Sequence, residues 1–306
     1  MMGVASLTPL LRRSRRLLRF GGGASSVAGG LIVLLVVMAA LLAPWIAPHD
    51  PVDIAIENSL LPPDGEFLLG TDQGGRDVLS RMIWGSRISL MVSLLAVCIG
   101  MTLGIAAGLV AAQYRDTWVE QAIMRTMEAV ASIPLLIWAI ALIGILGVAP
   151  IMVFGHPFGN EWKLLILIGV LYTPTLTRIM HDVAVAEIAA DYVKARRIQG
   201  VSSAAILISD VLPNCMGPLI VQGTLLVAIG VVVEASVSFI GLGVQPPIPS
   251  WGSMLAESRN YIFSGEWWLP VFPGLAISLT VIGFNLLGDG LRDLLDPRSA
   301  SRGIAG

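Results

Sequence analysis

"CMGPLIVQGTLLVAIGVVVEASVSFI", residues 215–240, has one carboxylate, Glu234, and no lysine or arginine. About 20 predominantly apolar residues suffice for a helix to cross the hydrocarbon core of a bilayer. Lipid cannot hydrogen-bond the backbone, so a run of this length is read as a helix. The alternation of a barrel strand is absent. Five further runs, at residues 27–47, 88–112, 122–148, 163–180 and 269–288, bring the expectation to six spans. The chain of 306 residues is 55% hydrophobic and 13% charged, where a soluble domain carries about 25% charged residues. The sequence therefore specifies an all-α integral membrane protein. Pro134, Pro174 and Pro273 fall inside or near spans, where kinks are tolerated if neighbouring helices satisfy the freed carbonyls.

The charges give these spans a direction. With the N-terminus inside, the inside connections are the N-terminal tail, residues 113–125, residues 178–214 and the C-terminal tail. They collect all but five of the 19 lysines and arginines, leaving Arg76, Arg81, Arg87, Lys163 and Arg259 outside. That asymmetry predicts both termini in the cytoplasm. The expected organisation is an Arg-rich cytoplasmic tail (1–26), a first transmembrane helix (27–47) and an extracytoplasmic segment (48–87). A five-helix core (88–290) follows, with a cytoplasmic loop at 181–214, and then a cytoplasmic tail (291–306). Arg12, Arg13, Arg15, Arg16 and Arg19 resemble the start of a secretory signal. The apolar run after them exceeds the usual 7–15 residues, which favours an uncleaved helix. Trp251, Trp267 and Trp268 read as interfacial anchors near the outer surface. Cys98 and Cys215 read as small buried side chains, because their spacing suits neither a disulfide framework nor a metal site. His49, His156 and His181 lie in separate loops, which argues against a histidine metal cluster.

The inside loop ahead of the quoted span is "DYVKARRIQGVSSAAILISDVLPN", residues 191–214. A helix is expected over 189–199, stopped by Gly200, whose left-handed geometry closes helices. Ser202 or Ser203 would cap a second helix over Ala204–Leu212, ending before Pro213 and Asn214. By pattern alone this is an amphipathic connector resting on the membrane surface. However, Lys194-Ala195, then Gly200, then Pro213 resembles the EAA motif of ABC importer permeases. It departs from that motif at Lys194, where Glu is frequent, and at Arg196, where a second Ala is usual. In that family the loop forms a coupling helix that docks on a cytoplasmic ATPase. The resemblance assigns coupling to Asp191, Lys194, Ala195, Arg196, Arg197, Gly200, Leu212 and Pro213.

A second stretch, "LLGTDQGGRDVLSRMIWGSRISL" (68–90), resembles the GTD-x-x-GRD-x-x-SR signature of permeases in the dipeptide/oligopeptide/nickel branch. Its residues are Gly70, Thr71, Asp72, Gly75, Arg76, Asp77, Ser80 and Arg81. Read locally, Gly70, Gly74 and Gly75 permit tight turns, and Asp72 and Asp77 can accept hydrogen bonds from loop amides. The alternating oxygen ligands and terminal Glu of a calcium loop are absent. "EASVSFIGLGVQPPIPSWGSML" (234–255) and "FPGLAISLTVIGFNLLGDGLRDLLDPR" (272–298) resemble the same branch's C-terminal half.

The resemblance, running from the first span to Arg298, implies the type I ABC importer permease fold and a C-type permease subunit. It also implies a B-type permease partner, two ATPase subunits and an extracytoplasmic solute-binding protein. The solute would be dipeptides or oligopeptides, with nickel complexes or another small solute as the alternative. No cofactor is expected on this chain, since ATP and Mg would be used by the ATPase partners.

Other classes fit less well. A P-loop places lysine directly after glycine, yet Lys163 follows Trp162 and Lys194 follows Val193. Neither H-E-x-x-H nor G-x-S-x-G occurs. The Gly288–Gly290 "GDG" lacks the second intramembrane aspartate that aspartyl chemistry needs, and Asp289 lies in a terminal cluster with Arg292, Asp293 and Asp296. No catalytic residue and no metal ligand is expected. Charges segregated by loop rather than pooled in a patch give no nucleic-acid surface. An ion-coupled secondary transporter, the more distant alternative, would show inverted repeats and intramembrane acids. No repeat is visible, and Glu234 is the one acid well within a span. A carboxylate there costs about 2.5–3.5 kcal/mol unless it is paired or wet. Glu234 is therefore expected to hydrogen-bond within the bundle or to face the solute path.

Overall fold

The computed structural model describes residues 23–295, apart from Phe154 and Ile262. The expectations for the arginines of the N-terminal tail and for residues 296–306 lie outside the described residues. The helices are α1 (Gly23–Ile46), α2 (Val78–Gln113), α3 (Trp118–Ala131), α4 (Leu135–Leu146) and α5 (Asn160–Ile188). They are followed by α6 (Asp191–Ile198), α7 (Ser203–Phe239), α8 (Trp251–Ser258) and α9 (Trp268–Leu295). A short antiparallel hairpin, β1 (Ile151–Val153) with β2 (His156–Phe158), precedes α5 and was not foreseen from the sequence.

Helices α1, α2, α5, α7 and α9 are long and apolar enough to cross a membrane. The run at 122–148, expected as one span, is instead two helices, α3 and α4, bent by 83°. Proline has no N–H and pushes the preceding residue out of the helical region. Helix α3 accordingly closes at Ser132, whose hydroxyl donates to Ala129 O. Pro134 is extended (ψ 139°) and caps α4.

The long helices overrun the apolar blocks that announced them. α2 begins at Val78, not near 88, because Asp77 caps it. α5 and α9 likewise continue through polar turns to Ile188 and Leu295. A count of apolar residues registers only the part immersed in hydrocarbon.

The central contact is α2 against α5. Gly100, Gly104 and Gly108, one turn apart, lie on Tyr172, Leu176 and Met180, and a Cβ on Gly104 would stand 2.6 Å from Leu176 Cβ. Small residues at four-residue spacing let helices in a membrane approach this closely. α1 packs on α9 in the same way, through Gly29 and Gly283. α7 runs between α2, α5 and α9. The segments 47–77 and 240–267 gather at one end of the bundle, and α6 lies at the other. Cys215 is buried as expected, but Cys98 is exposed, since it projects from α2 away from the packed helices.

Candidate functional site

At the end where α2 starts, the signature residues form one closed body. Gly70 and Gly75 have φ of +76° and +72°, and a Cβ on Gly75 would overlap the Ala55 carbonyl. This fold of the loop aims Asp72 inward. Its Oδ1 accepts from Gly74 N at 2.8 Å and Arg76 N at 3.1 Å, and its Oδ2 takes Arg76 Nε at 2.7 Å. Thr71 donates to Asn58 O and accepts from Leu61 N. Asp77 caps α2, accepting from Ser80 N at 2.9 Å and Ser80 Oγ at 2.6 Å, with His49 Nδ1 3.5 Å away.

Arg76 and Arg81 then meet a residue that the sequence reading missed. Glu257 on α8 takes Arg76 Nη2 at 2.7 Å, and Arg81 Nη2 reaches both its oxygens at 3.0 and 3.1 Å. Arg81 is 1% exposed, and its Nη1 lies 3.2 Å from Asp72 Oδ2. Two guanidinium groups and two carboxylates thus close on one another. A signal was available in the sequence. With Asp77 committed to the cap, two arginines had one aspartate between them, and Glu257 is the sole acid between Glu234 and Glu266.

The tryptophans are corrected here. Trp251 and Trp268 are 3% and 6% exposed, while Trp267 stays 54% exposed. Trp251 Nε1 donates to Met82 O and Trp268 Nε1 to Thr71 O. Their indoles pin α8 to the first turns of α2 and α9 to the signature loop, not to a lipid interface.

Glu234 sits just below this body, fully buried. Ser89 Oγ on α2 donates to its Oε2 at 2.9 Å, and Ser238 Oγ, one turn on, donates to Oε1 at 2.8 Å. Ser89 Oγ in turn accepts from Trp251 N, and Ser238 Oγ from Val244 N. The carboxylate therefore lies where α2, α7 and the start of α8 converge.

The opposite end is built differently. α6 ends at Gly200 (φ +80°), with Val201 N bonded to Arg196 O and Gly200 N to Arg197 O. This is the Schellman closure that glycine favours. Ser202 accepts from Ala205 N and starts α7. The second helix does not stop before Pro213. α7 runs on through a π-helical turn, Leu207–Val211, with Pro213 just beyond it. Such a widened turn shifts the backbone register, and the Asp210 carbonyl is taken by Asn214 Nδ2 at 3.0 Å.

Within α6 and the start of α7 the charged contacts are few, although beside them His181 of α5 meets Glu120 of α3 at 2.7 Å. Lys194 Nζ reaches Asp191 at 2.8 Å and Arg196 Nε reaches Asp210 at 3.2 Å. The Lys194 hydrogen bond and charge hold the Asp191 carboxyl below the usual carboxylate range. Lys194, Ala195 and Arg197 are exposed, and so are Ile198 at 87% and Ile208 at 65%. Leu212 is half-buried, and Val193 and Ile206 are the buried anchors.

Beneath them lies a second cluster absent from the sequence reading. Tyr192 OH donates to Glu187 on α5, and Asn214 Nδ2 reaches both. Partial burial and then the Glu187 carboxylate raise the pKa of the Tyr192 hydroxyl above its ordinary value. No spacing rule links residues 187, 192 and 214, so nothing in the sequence brought them together. Among the described residues no group of His, Cys, Asp and Glu is placed to hold a metal.

The sequence was compared with known families and proteins. Residues 104–301 match the family described as "Binding-protein-dependent transport system inner membrane component". Residues 19–63 match "N-terminal TM domain of oligopeptide transport permease C". The chain is 42% identical over 265 residues to the di/tripeptide transport system permease protein DppC of Pseudomonas aeruginosa, covering 85% of this chain and 83% of that protein. It is 38% identical over 265 residues to the dipeptide transport system permease protein DppC of Escherichia coli K12, covering 85% and 84%. It is also 36% identical over 266 residues to a probable D,D-dipeptide transport system permease protein of the same strain, covering 86% and 84%.

Proposed function

The chain belongs to the family of binding-protein-dependent transport system inner membrane components, that of ABC importer permeases, and from that premise we propose that it is the C-type permease subunit of a peptide importer. It is a multi-pass protein of the bacterial inner membrane. Its solutes are dipeptides or oligopeptides, as the names of its relatives suggest. It forms half of the translocation path beside a B-type permease. Two cytoplasmic ATPase subunits hydrolyse ATP with Mg, and an extracytoplasmic protein delivers the solute. The chain contributes a path and a lever and no catalytic residue. The bent α3–α4 pair completes a sixth span, and both termini are cytoplasmic, as the charge asymmetry favours.

One observation carries this reading. The helix–glycine–helix of α6 and α7 leaves its charged and apolar side chains exposed, while its base is fastened to α5 through Glu187, Tyr192 and Asn214. A surface that is free outward and anchored inward suits a docking lever, moved when the ATPase dimer closes and turning its helices as rigid bodies. Asp191, Lys194, Ala195, Arg196, Arg197, Gly200, Leu212 and Pro213 make up that lever. The signature loop, with Gly70, Thr71, Asp72, Gly75, Arg76, Asp77, Ser80 and Arg81, braces the extracytoplasmic end. Glu234 braces the bundle beneath it.

The test is uptake of a labelled dipeptide into liposomes holding the full complex. Import should need hydrolysable ATP and the loaded binding protein. Uptake that persists with vanadate and follows an ion gradient would instead favour a secondary transporter, and uptake confined to a nickel complex would reassign the solute. Orientation is checked by single cysteines at Gln73 and Lys194, both exposed, because Arg76 and Asp77 are too buried to report. A membrane-impermeant thiol reagent should label position 73, and not 194, from outside intact cells.

A further inference from the structure

A cavity of about 640 Å³ opens between α5, α7 and α9 in the half of the bundle that carries α6. Most of its wall is apolar, and α7 thins it by placing Gly217 and Pro218 there. Three polar side chains line it: Gln222 and Asn214 of α7, and Arg292 of α9. Gln222 is half-buried ten residues beyond Leu212, deep in an apolar helix. The Gln222 side chain makes no hydrogen bond among the described residues, unlike that of Thr224 two residues on, which bonds back to Ile220 O. A carboxamide has two donor and two acceptor positions, and leaving them unmet in hydrocarbon is costly. An unsatisfied polar group in a span therefore belongs in a wetted cavity.

We propose that this cavity is the cytoplasmic half of this subunit's solute path, and that Gln222 is the residue in it that recognises a peptide's main chain. The proposal rests on the peptide-importer reading and deepens it. A glutamine side chain ends in the same carboxamide that links residues in a peptide, so it can give one hydrogen bond to a peptide carbonyl and take one from the neighbouring N–H. That pairing ignores the peptide's side chains, as a path serving many sequences requires. Asn214 Nδ2 is committed to Glu187, Tyr192 and Asp210, which leaves its oxygen to accept from the peptide. Arg292 is the charged residue of the lining, and no acid shares the wall. It suits the peptide's terminal carboxylate at the point of exit.

Three variants of the full complex test this. The first is Gln222→Cys on a background lacking Cys98 and Cys215, labelled from the cytoplasmic side with a cationic thiol reagent. The control is Ile220→Cys, about 3 Å away along the same helix, exposed but outside the cavity. Position 222 should react and position 220 should not, and saturating dialanine should slow the reaction at 222. Labelling at 220 alone, or at neither, overturns the path.

The second variant, Gln222→Leu, should lower dialanine uptake by about tenfold, the factor set by losing one hydrogen-bonding contact of ordinary strength. Gln222→Asn should restore part of it. Both variants should assemble with the partner subunits in wild-type yield, so that the loss is read at the solute and not at the fold.

The third is Gly217→Phe, which should plug the cavity. The nearest atom to a Cβ at Gly217 is Leu295 Cβ, 3.8 Å away, so the fold should tolerate the plug while import stops. Full uptake by Gln222→Leu and Gly217→Phe overturns the proposal. Failure of the peptide reading looks different: the wild-type complex imports no dialanine, yet the Gln222→Cys variant is still labelled.

Discussion

The two ends of this bundle use the same residue types in opposite ways. At one end Arg76, Arg81, Asp72 and Glu257 turn inward, and the Arg81 side chain is 1% exposed. At the other, Lys194 and Asp191 pair at the surface, with side chains 62% and 97% exposed. A buried ion pair is costly to break, because the remaining charge has no water to return to. An exposed pair contributes little and re-forms readily. The closed end therefore resists rearrangement, while the open end keeps its charges available to another surface. In a machine driven from one side of the membrane, the fixed element and the movable one should differ in this way.

The contrast breaks first if the closed end proves dispensable. Glu257→Ala leaves Arg76 and Arg81 sharing Asp72, and should destabilise the protein by about 3–5 kcal/mol. Denaturant unfolding in detergent measures this, and a shift no larger than that of a surface substitution would mean the four charges brace nothing. Glu234 gives the next largest effect. Glu234→Leu strands the hydroxyls of Ser89 and Ser238 and should cost about 1–2 kcal/mol. Glu234→Gln keeps the shape and most of the bonding and should transport nearly as well as wild type. If Gln changes which solutes compete for uptake in a normally assembled complex, Glu234 belongs to the path and not to the brace.

The spans were legible because each presents about 20 apolar residues, a requirement set by the bilayer. The break at Ser132–Pro134 was not, although the proline itself was visible. Pro174 and Pro273 are buried in unbroken helices, but Pro44 and Pro218 are exposed like Pro134 and their helices still run on. Five prolines thus have two outcomes, and neither the proline nor its exposure tells a bent helix from an ended one. The same holds at Pro213, where a π turn carries α7 past an expected stop. At the closed end the loop geometry was readable from Gly70, Gly75, Asp72 and Asp77. Glu257 was signalled only by an arginine left without an acid, and no local pattern pointed to it, because it arrives from 176 residues away. Trp251 escaped for a related reason, since it read as an interfacial anchor until its partner, Met82 O, was in place.

The open end is sharpened by Gly200→Val. A Cβ at Gly200 meets nothing within 4 Å, so crowding plays no part and the backbone alone objects. Holding an L-residue in the left-handed region costs about 1–2 kcal/mol, and a β-branched one tolerates it poorly. The turn should give way and tilt the start of α7 while the complex still assembles. Uptake and stimulation of ATPase activity should fall together. Normal values for both would mean that α6 merely rests on lipid.

The smallest effect is expected from removing Arg196 and Arg197 together, and its size bears on what docking uses. Arg196 has a partner within the chain, Asp210, through a contact whose side chains are 40% and 21% exposed. Arg197 is exposed and free to meet an acidic residue on the ATPase. Exposed charge contacts are typically worth about 0–1 kcal/mol each, so Ala at both should weaken docking several-fold without abolishing it. The loss should grow at low ionic strength, where screening is weakest and the wild-type charges act furthest. Ile198, the most exposed apolar residue of α6, gives the internal comparison. If the ATPase buries it, Ile198→Ser should cost affinity regardless of salt. A double-arginine variant that loses all coupling, beside a silent Ile198→Ser, would make the open end an electrostatic latch and not an apolar socket contact. The salt series on reconstituted ATPase activity separates the two.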